Sequence, residues 1–193
     1  LLRNRPLAKS PGAAVAGAPQ HPFDLCPDRR GCYPRAMFED DTAPTNLPRM
    51  TRTGRLIPPG LDEPLLRKVV ETFYARARQD EVIGPVFNAA IAPDEWPAHL
   101  ATITDFWASM LLGVARYQGR PMPKHLGIPG LADEHFRVWL RLWGETVIEL
   151  CPPMAAAMLI DRAERIGHNF RIGIRLRRGE QDPQLEFYHA VTD

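Results

Sequence analysis

Four side chains with ligand-binding chemistry stand out in this sequence because of where they fall in the hydrophobic pattern. Tyr74, His99 and Trp139 each lie on the apolar face of a different predicted helix, and His125 lies on a separate, proline-bounded segment. A polar group that is buried without a partner costs about 1–3 kcal/mol. Three such groups in one small domain are therefore expected to have internal partners or to share a bound polar ligand.

Each of these residues also has a purely structural interpretation. His99 is a lone imidazole on an apolar face, where a buried histidine bonded to a neighbour is the common case. Tyr74 could be a core tyrosine whose hydroxyl donates to a backbone carbonyl, and His125 could be a loop histidine in solvent. The combination favours a bound cofactor, because polar donors would face it from one side and a histidine from the other.

The first element that must position these side chains is a helix that begins after Leu61. Asp62 is a suitable N-cap, and Glu63 and Pro64 suit the first turn. The apolar arc of this helix contains Leu66, Val70, Phe73, Tyr74 and Ala77. A short apolar piece of one or two helical turns is then predicted at residues 86–91.

Three longer helical segments follow in the hydrophobic pattern. One runs from about residue 93 to Gly113, a suitable C-terminal stop, with His99 on its apolar face. The others are predicted at 133–150 and from 153 to about 172, and His125 falls between helices on a loop or short turn. No stretch shows sustained strand alternation, so the predicted fold class is all-α.

The chain is predicted to have three regions. Residues 1–60 hold ten of the twenty prolines and almost no periodic apolar pattern, so a disordered or extended segment is expected there. Residues 61–175 form the predicted folded domain, and residues 176–193 a polar C-terminal tail that frays beyond Arg175.

Composition excludes several classes of protein. A net charge of +1 argues against a dedicated nucleic-acid binder, and no apolar run approaches the roughly 20 residues that span a bilayer. Cys26, Cys32 and Cys151 do not form a disulfide framework, which favours a reducing, cytoplasmic setting. Cys26 and Cys32 also lack the further ligands that a zinc site needs.

Short motifs occur in a consistent order along the predicted helices. They are Phe73-Tyr74, Gly84-Pro-Val-Phe-Asn88, Trp96-x-x-His99, Phe106-Trp107, Leu111-Leu-Gly113, Tyr117-x-Gly-x-Pro121, Lys124-His-Leu126 and Trp139-Leu-x-Leu142. Each motif alone is weak. Together, over about residues 61–172, they resemble the group III truncated haemoglobins.

This resemblance implies a truncated globin fold, in which a two-on-two sandwich of helices encloses a haem (protohaem, with iron). His125 matches the proximal ligand of the iron, and Tyr74, His99 and Trp139 match the polar distal cluster. The further cofactor contacts that the resemblance implies are Phe73, Phe87, Ile103, Phe106, Trp107, Tyr117, Lys124 and Leu126. Lys124 is expected to pair with a haem propionate.

The function implied is binding of O2, NO, CO or similar small ligands. Strong distal donors would slow the release of O2, which favours NO detoxification or peroxide chemistry, with an external reductase, over transport. His99 could bond the ligand, gate its entry or coordinate iron. The alternative is a haem-free interaction or sensor domain on the globin scaffold, and His125 discriminates between the two. Ala132 stands where a capping Ser or Thr is expected, so Asp133 could cap the next helix instead.

Overall fold

The computed structural model describes residues 47–181 and 184–190. Within these ranges the chain forms six helices and one short β-hairpin, which confirms the predicted all-α class. The strands are β1 (Arg49–Met50) and β2 (Leu56–Ile57), and the helices are α1 (Glu63–Ala77), α2 (Gly84–Ala90), α3 (Trp96–Leu111), α4 (Pro121–Leu126), α5 (Asp133–Leu150) and α6 (Pro153–Arg177).

Helix α1 begins where its capping residues predict. Asp62 Oδ1 accepts the Leu65 N–H at 2.9 Å, and Glu63 and Pro64 occupy the first turn. The buried positions are Leu66, Val69, Val70, Phe73, Tyr74 and Ala77. Their spacing of three and four residues is that of a single helix face, so this helix lays one continuous stripe against the core.

Helices α1 and α3 pack on one another, α5 packs on both α1 and α6, and α4 packs on α6. This arrangement of helix pairs is the two-on-two sandwich that the sequence predicts. Fully buried aromatic and aliphatic side chains fill the space between the long helices; the largest are Trp143, Phe73, Leu66, Leu111, Leu140 and Leu159. Although α6 has 25 residues, no helix in the described ranges is long and apolar enough to cross a membrane.

Helix α3 exposes part of the face that its hydrophobic pattern marks as apolar. The residues sealed in the core are Trp96, Thr104, Trp107, Ala108 and Leu111. His99, Ile103 and Phe106 are only half-buried. The helix is therefore rotated so that one edge of its apolar face borders the core and the other borders a cleft.

The sequence predicts that the folded domain begins at residue 61. In the structure, ordered elements begin earlier in the chain. Strands β1 and β2 pair antiparallel, with Arg49 opposite Ile57. The Arg49 guanidinium donates to the Leu61 carbonyl at 2.7 Å, and the Arg55 guanidinium donates to the Met110 carbonyl at the end of α3. Two-residue strands are too short to produce a sequence alternation. The expectation for residues 1–46, including Cys26 and Cys32, lies outside the described residues.

The start of α5 settles how this helix is capped. Ala132 is the N-cap, so the one-residue shift to an Asp133 cap does not occur. His135 takes the part of the N3 side chain in a capping box, since its Nδ1 accepts the Ala132 N–H at 3.0 Å. The Asp133 carboxylate is thereby left free to bind Arg171 and Arg175 on α6, at 3.1 and 2.9 Å.

The C-terminal segment packs against the body instead of fraying after Arg175. Helix α6 continues to Arg177. The Tyr188 ring lies under the guanidinium of Arg171 at 3.4 Å, and the Ala190 N–H donates to Glu164 Oε1 at 2.8 Å. These contacts are made by one aromatic side chain and by backbone groups. Neither produces a periodic pattern in the sequence, so the packing of this segment could not be predicted from it.

Candidate functional site

A cleft opens between the edge of α3 and the segment that carries α4. The empty space of the cleft, with the open solvent at its mouth included, is about 1110 Å³. The side chains of α1, α2, α3, α5 and α6 form its other walls. The lining includes Tyr74, Phe87, His99, Ile103, Phe106, Trp107, Tyr117, Lys124, His125, Trp139 and Phe170.

His125 is oriented by its own helix. Its Nδ1 lies 2.8 Å from the Pro121 carbonyl oxygen. A carbonyl can only accept, so Nδ1 carries the hydrogen and Nε2 of the neutral ring keeps its lone pair. Burial lowers the pKa of His125, opposed by the bond to Pro121 and assisted by the charge of Lys124. The neutral imidazole that metals bind is therefore the favoured form.

His135 lines the same cleft, and its Nδ1 lies against the backbone of Ala132. The nearer partner is the Ala132 N–H at 3.0 Å, and the Ala132 carbonyl oxygen is 3.3 Å away. The shorter contact favours the tautomer with the hydrogen on Nε2, the opposite of that of His125. His125, whose Nε2 lone pair is available, is therefore the better candidate ligand of the two.

Tyr74 lies at the centre of an aromatic cluster on the other wall. Its ring makes edge contacts with Phe73, Phe87 and His99, with ring centroids 4.8, 5.4 and 5.9 Å away. Burial raises the pKa of Tyr74 far above its usual value. The phenol therefore keeps its hydrogen at any physiological pH and acts as a hydrogen-bond donor. Trp139, whose indole N–H can only donate, lines the same space.

His99 is more exposed than Tyr74 in this distal set. It is half-buried on α3, with its ring 5.6 Å from that of Trp96 in an edge contact. Burial is the largest effect that lowers the pKa of His99, and the charges of His125 and Lys124 lower it further. The negative charge of Glu95 opposes these effects and raises the pKa. At neutral pH the ring is therefore mainly neutral, and it has one donor and one acceptor nitrogen.

The same architecture occurs in a protein of known structure. The crystal structure of a group III truncated haemoglobin from Campylobacter jejuni matches with a TM-score of 0.57 and 35% sequence identity, covering 59% of this chain and 91% of that one. The group 3 truncated haemoglobin ctb of the same organism is 36% identical over 113 residues, which is 58% of this chain and 89% of the relative. The chain belongs to the group III truncated haemoglobins. No protein-family model matches the sequence.

The globin fold brings most of the predicted site residues to this one cleft. Ten of them line it, namely Tyr74, Phe87, His99, Ile103, Phe106, Trp107, Tyr117, Lys124, His125 and Trp139. Phe73 and Leu126 are not among its lining residues. Phe73 is fully buried behind Tyr74, with its ring 5.2 Å from that of Trp143. Leu126 faces α6 and lies close to Gly173. The roles of all twelve remain predictions.

Several lining residues of this globin were not singled out as cofactor contacts from the sequence. They are Ile83, Val86, Thr102, Pro121, Ile128, Leu131, His135, Phe136, Ile166 and Phe170. Phe170 is the most informative, because its ring stacks on that of His125 with centroids 4.4 Å apart and planes 21° apart. Its helical periodicity marked it only as a buried position of α6.

Haem, the group that this family implies, fits the donor set of the cleft. One neutral imidazole offers an Nε2 lone pair, the walls are mostly apolar, and polar donors lie on another wall. In residues 47–181 and 184–190, no three or more His, Cys, Asp or Glu side chains are grouped to hold a bare metal ion. A single protein ligand to iron is what a porphyrin-bound metal requires, since the macrocycle supplies the other nitrogens.

Proposed function

We propose that this globin binds protohaem through His125 Nε2 and holds O2, NO or CO beneath Tyr74, His99 and Trp139. The observation that carries the proposal is the fixed tautomer of His125 in a cleft whose other wall bears protonated donors. Haem, when bound, supplies the iron coordination position and its redox chemistry. The protein supplies the axial imidazole, the exclusion of water and the distal hydrogen bonds.

The distal residues have a clear electrostatic role in this proposal. A small ligand with partial negative charge next to Tyr74 would accept the phenol O–H, and the Trp139 indole would add a second donor. Both donors are held by packing and need no reorganisation when the ligand arrives. They therefore slow the release of the ligand. Slow release is unfavourable for a transport protein, but it favours a protein that catalyses a reaction of its bound ligand.

We infer that the reaction is turnover of NO or peroxide, with electrons from an external reductase. What supports this is the number of donors on the distal wall: the Tyr74 phenol and the Trp139 indole both line the cleft, with the His99 imidazole beside them. The reducing, cytoplasmic setting expected from the three cysteines suits such a partner.

The proposal is tested on the full chain reconstituted with hemin. We expect a Soret band and, in the ferrous protein, an iron–histidine stretching band that disappears in His125→Gly and returns when free imidazole is added. The matched control is His135→Gly, which also removes an imidazole from the cleft edge and should keep the band. An unchanged spectrum in His125→Gly would refute the assignment of the ligand. The absence of any Soret band would leave the haem-free scaffold domain as the better hypothesis.

A further inference from the structure

Two residues of α6 contact the segment that carries His125. Phe170 stacks on the imidazole, with ring centroids 4.4 Å apart and an interplanar angle of 21°. One turn further on, Gly173 lies against α4 itself: a Cβ at this position would be 3.0 Å from Met122 Sδ and 3.2 Å from Leu126 Cδ2. Helix α6 therefore contacts both the ring of His125 and two other side chains of the helix that carries it.

The stacking contact supplies a constraint that the hydrogen bond of His125 lacks. The Nδ1–H bond to the Pro121 carbonyl lies in the ring plane, so it selects which edge of the imidazole faces the cleft. It leaves the ring free to tilt about the N–H axis. A flat ring packed at 4.4 Å on the face of the imidazole removes that freedom.

Gly173 allows the two helices to approach closely enough for this stacking. Contacts of 3.0 and 3.2 Å from an added Cβ are shorter than ordinary van der Waals separation, so an added methyl would press on the Met122 and Leu126 side chains of α4, which would have to move by a few tenths of an ångström. A glycine inside a 25-residue helix lowers helix stability, and close packing is the usual reason to retain one. Helix α4 has only six residues and none of them is fully buried, so it has little other packing to resist such a push.

We propose that Phe170 and Gly173 are positioning residues for the proximal ligand: together they fix the tilt and distance of the His125 imidazole relative to the iron. The proposal rests on His125 being the iron ligand. Supporting contacts of this kind around a metal-binding histidine are typically worth about 10–100-fold in metal affinity. Both residues should therefore control the retention of haem and the strength of the iron–histidine bond.

The first experiment compares Phe170→Leu with Phe170→Tyr in hemin-reconstituted full-length protein. Phe170→Leu should speed haem transfer to an acceptor globin by roughly 10-fold or more and should shift and broaden the iron–histidine stretching band. Phe170→Tyr keeps a flat ring and should retain both properties. The control is Ile160→Ala, which removes a half-buried apolar side chain from the other end of the same helix and should leave the band in place.

The second experiment uses the two glycines of α6. In Gly173→Ala the new methyl meets Met122, whereas in Gly167→Ala the nearest atom, Trp139 Cζ3, is 3.7 Å away at ordinary contact distance. Gly173→Ala should shift the band and Gly167→Ala should not. The double variant Gly173→Ala/Met122→Ala should restore the wild-type band, because it removes the atom that the methyl meets.

The outcomes separate this inference from the proposed function. If the wild-type band depends on His125 but is unchanged in Phe170→Leu and Gly173→Ala, the positioning role is refuted and the haem assignment stands. If the band does not depend on His125 at all, the proposed ligand is wrong. Should Phe170→Leu fail to fold, the comparison of Gly173→Ala with Gly167→Ala decides the question, since neither variant removes a packed side chain.

Discussion

The two walls of the cleft are built in different ways. The distal wall stands on α1, α3 and α5, and a sealed aromatic layer supports it: the Trp143 ring stacks on that of Trp107 at 4.7 Å and on that of Trp139 at 6.2 Å. The proximal wall stands on the six-residue α4, in which no residue is fully buried. His125 on this wall is held by one hydrogen bond and one stacked ring.

This difference shows two ways of holding a functional side chain. The distal donors are fixed collectively, because each belongs to a long helix that is packed in the core along its length. The proximal histidine is fixed by a few directional contacts, each of which matters singly. Damage to the core should therefore lower the stability of the whole protein, whereas damage at α4 should change haem ligation with little change in stability.

One ionic cluster connects the walls. Asp133 at the start of α5 accepts two hydrogen bonds from the buried Arg171 and one from Arg175, both on α6. Arg171 directly follows Phe170, the residue that stacks on His125. The cluster therefore ties the helix that carries Trp139 to the helix that supports the proximal ligand.

The largest effect is expected from Trp143→Ala in the layer behind the distal wall. Trp143 is 1% exposed and donates its indole N–H to the Leu159 carbonyl. Its removal should lower the free energy of unfolding by about 3–5 kcal/mol, because it leaves a cavity and removes a buried hydrogen bond. Denaturant unfolding at constant haem loading measures this. Ile148→Ala, on the exposed side of the same helix, should stay within about 0.5 kcal/mol; equal losses would contradict a sealed layer.

Asp133→Asn should come next, because it removes the carboxylate that neutralises Arg171. The side chain of Arg171 is 2% exposed and that of Asp133 is 31% exposed, so solvent screens the pair in part. We expect a loss of about 2 kcal/mol, below the range for fully buried pairs. Glu134→Gln is the matched control, since it removes a negative charge from the same helical turn without touching Arg171. An equal loss in both variants would indicate that Asp133 stabilises the protein through the dipole of α5 and not through its ion pair with Arg171.

The same cluster predicts a dependence of stability on pH. The hydrogen bonds from Arg171, followed by those from Arg175, lower the pKa of Asp133 below its ordinary value of 3.8, against the opposing effect of burial. A carboxylate with a lowered folded-state pKa contributes its stability above the unfolded value and loses it as pH falls through the folded value. The difference in unfolding free energy between wild type and Asp133→Asn should therefore be constant from pH 5 to 7 and should shrink below about pH 4. A difference that grew on acidification would contradict the assignment.

Tyr74→Phe tests the distal wall alone. Loss of one donor to the bound ligand is worth about 1.4 kcal/mol, so the O2 dissociation rate should rise about tenfold. Stopped-flow measurement of O2 release checks this, and the iron–histidine band should not move. Tyr188→Phe, in the C-terminal segment, is the control tyrosine and should leave the rate unchanged. A wild-type rate in Tyr74→Phe would remove the phenol from the ligand site.

Lys124→Ala should have the smallest effect, on the proximal side. Lys124 is exposed at the edge of the cleft, so its pairing with a propionate is screened by water. We expect haem loss to be faster by only about two- to threefold, and less so at high salt. Haem transfer at two ionic strengths measures this, with Lys68→Ala as the control. A loss of more than about tenfold would mean that Lys124 is a main anchor of the cofactor.

Much of this protein was determined by local sequence. The cap at Asp62 and the apolar stripe of α1 predict a helix that the structure shows with the expected start. The periodicity at 133–150 predicts α5 to the residue. Capping and periodicity act within a few turns of one helix, so they can be seen without knowing what the helix packs against.

Tertiary structure decided how the site residues are held. The stack of Phe170 on His125 and the fit of Gly173 against α4 follow from contacts between residues whose approach no periodicity reports. The half-exposure of His99 likewise depends on which neighbours its helix meets. The sequence by itself determined which side chains could bind a ligand and which helices carry them. Only the packing of those helices decided the distances between them, because such contacts join segments that are far apart along the chain.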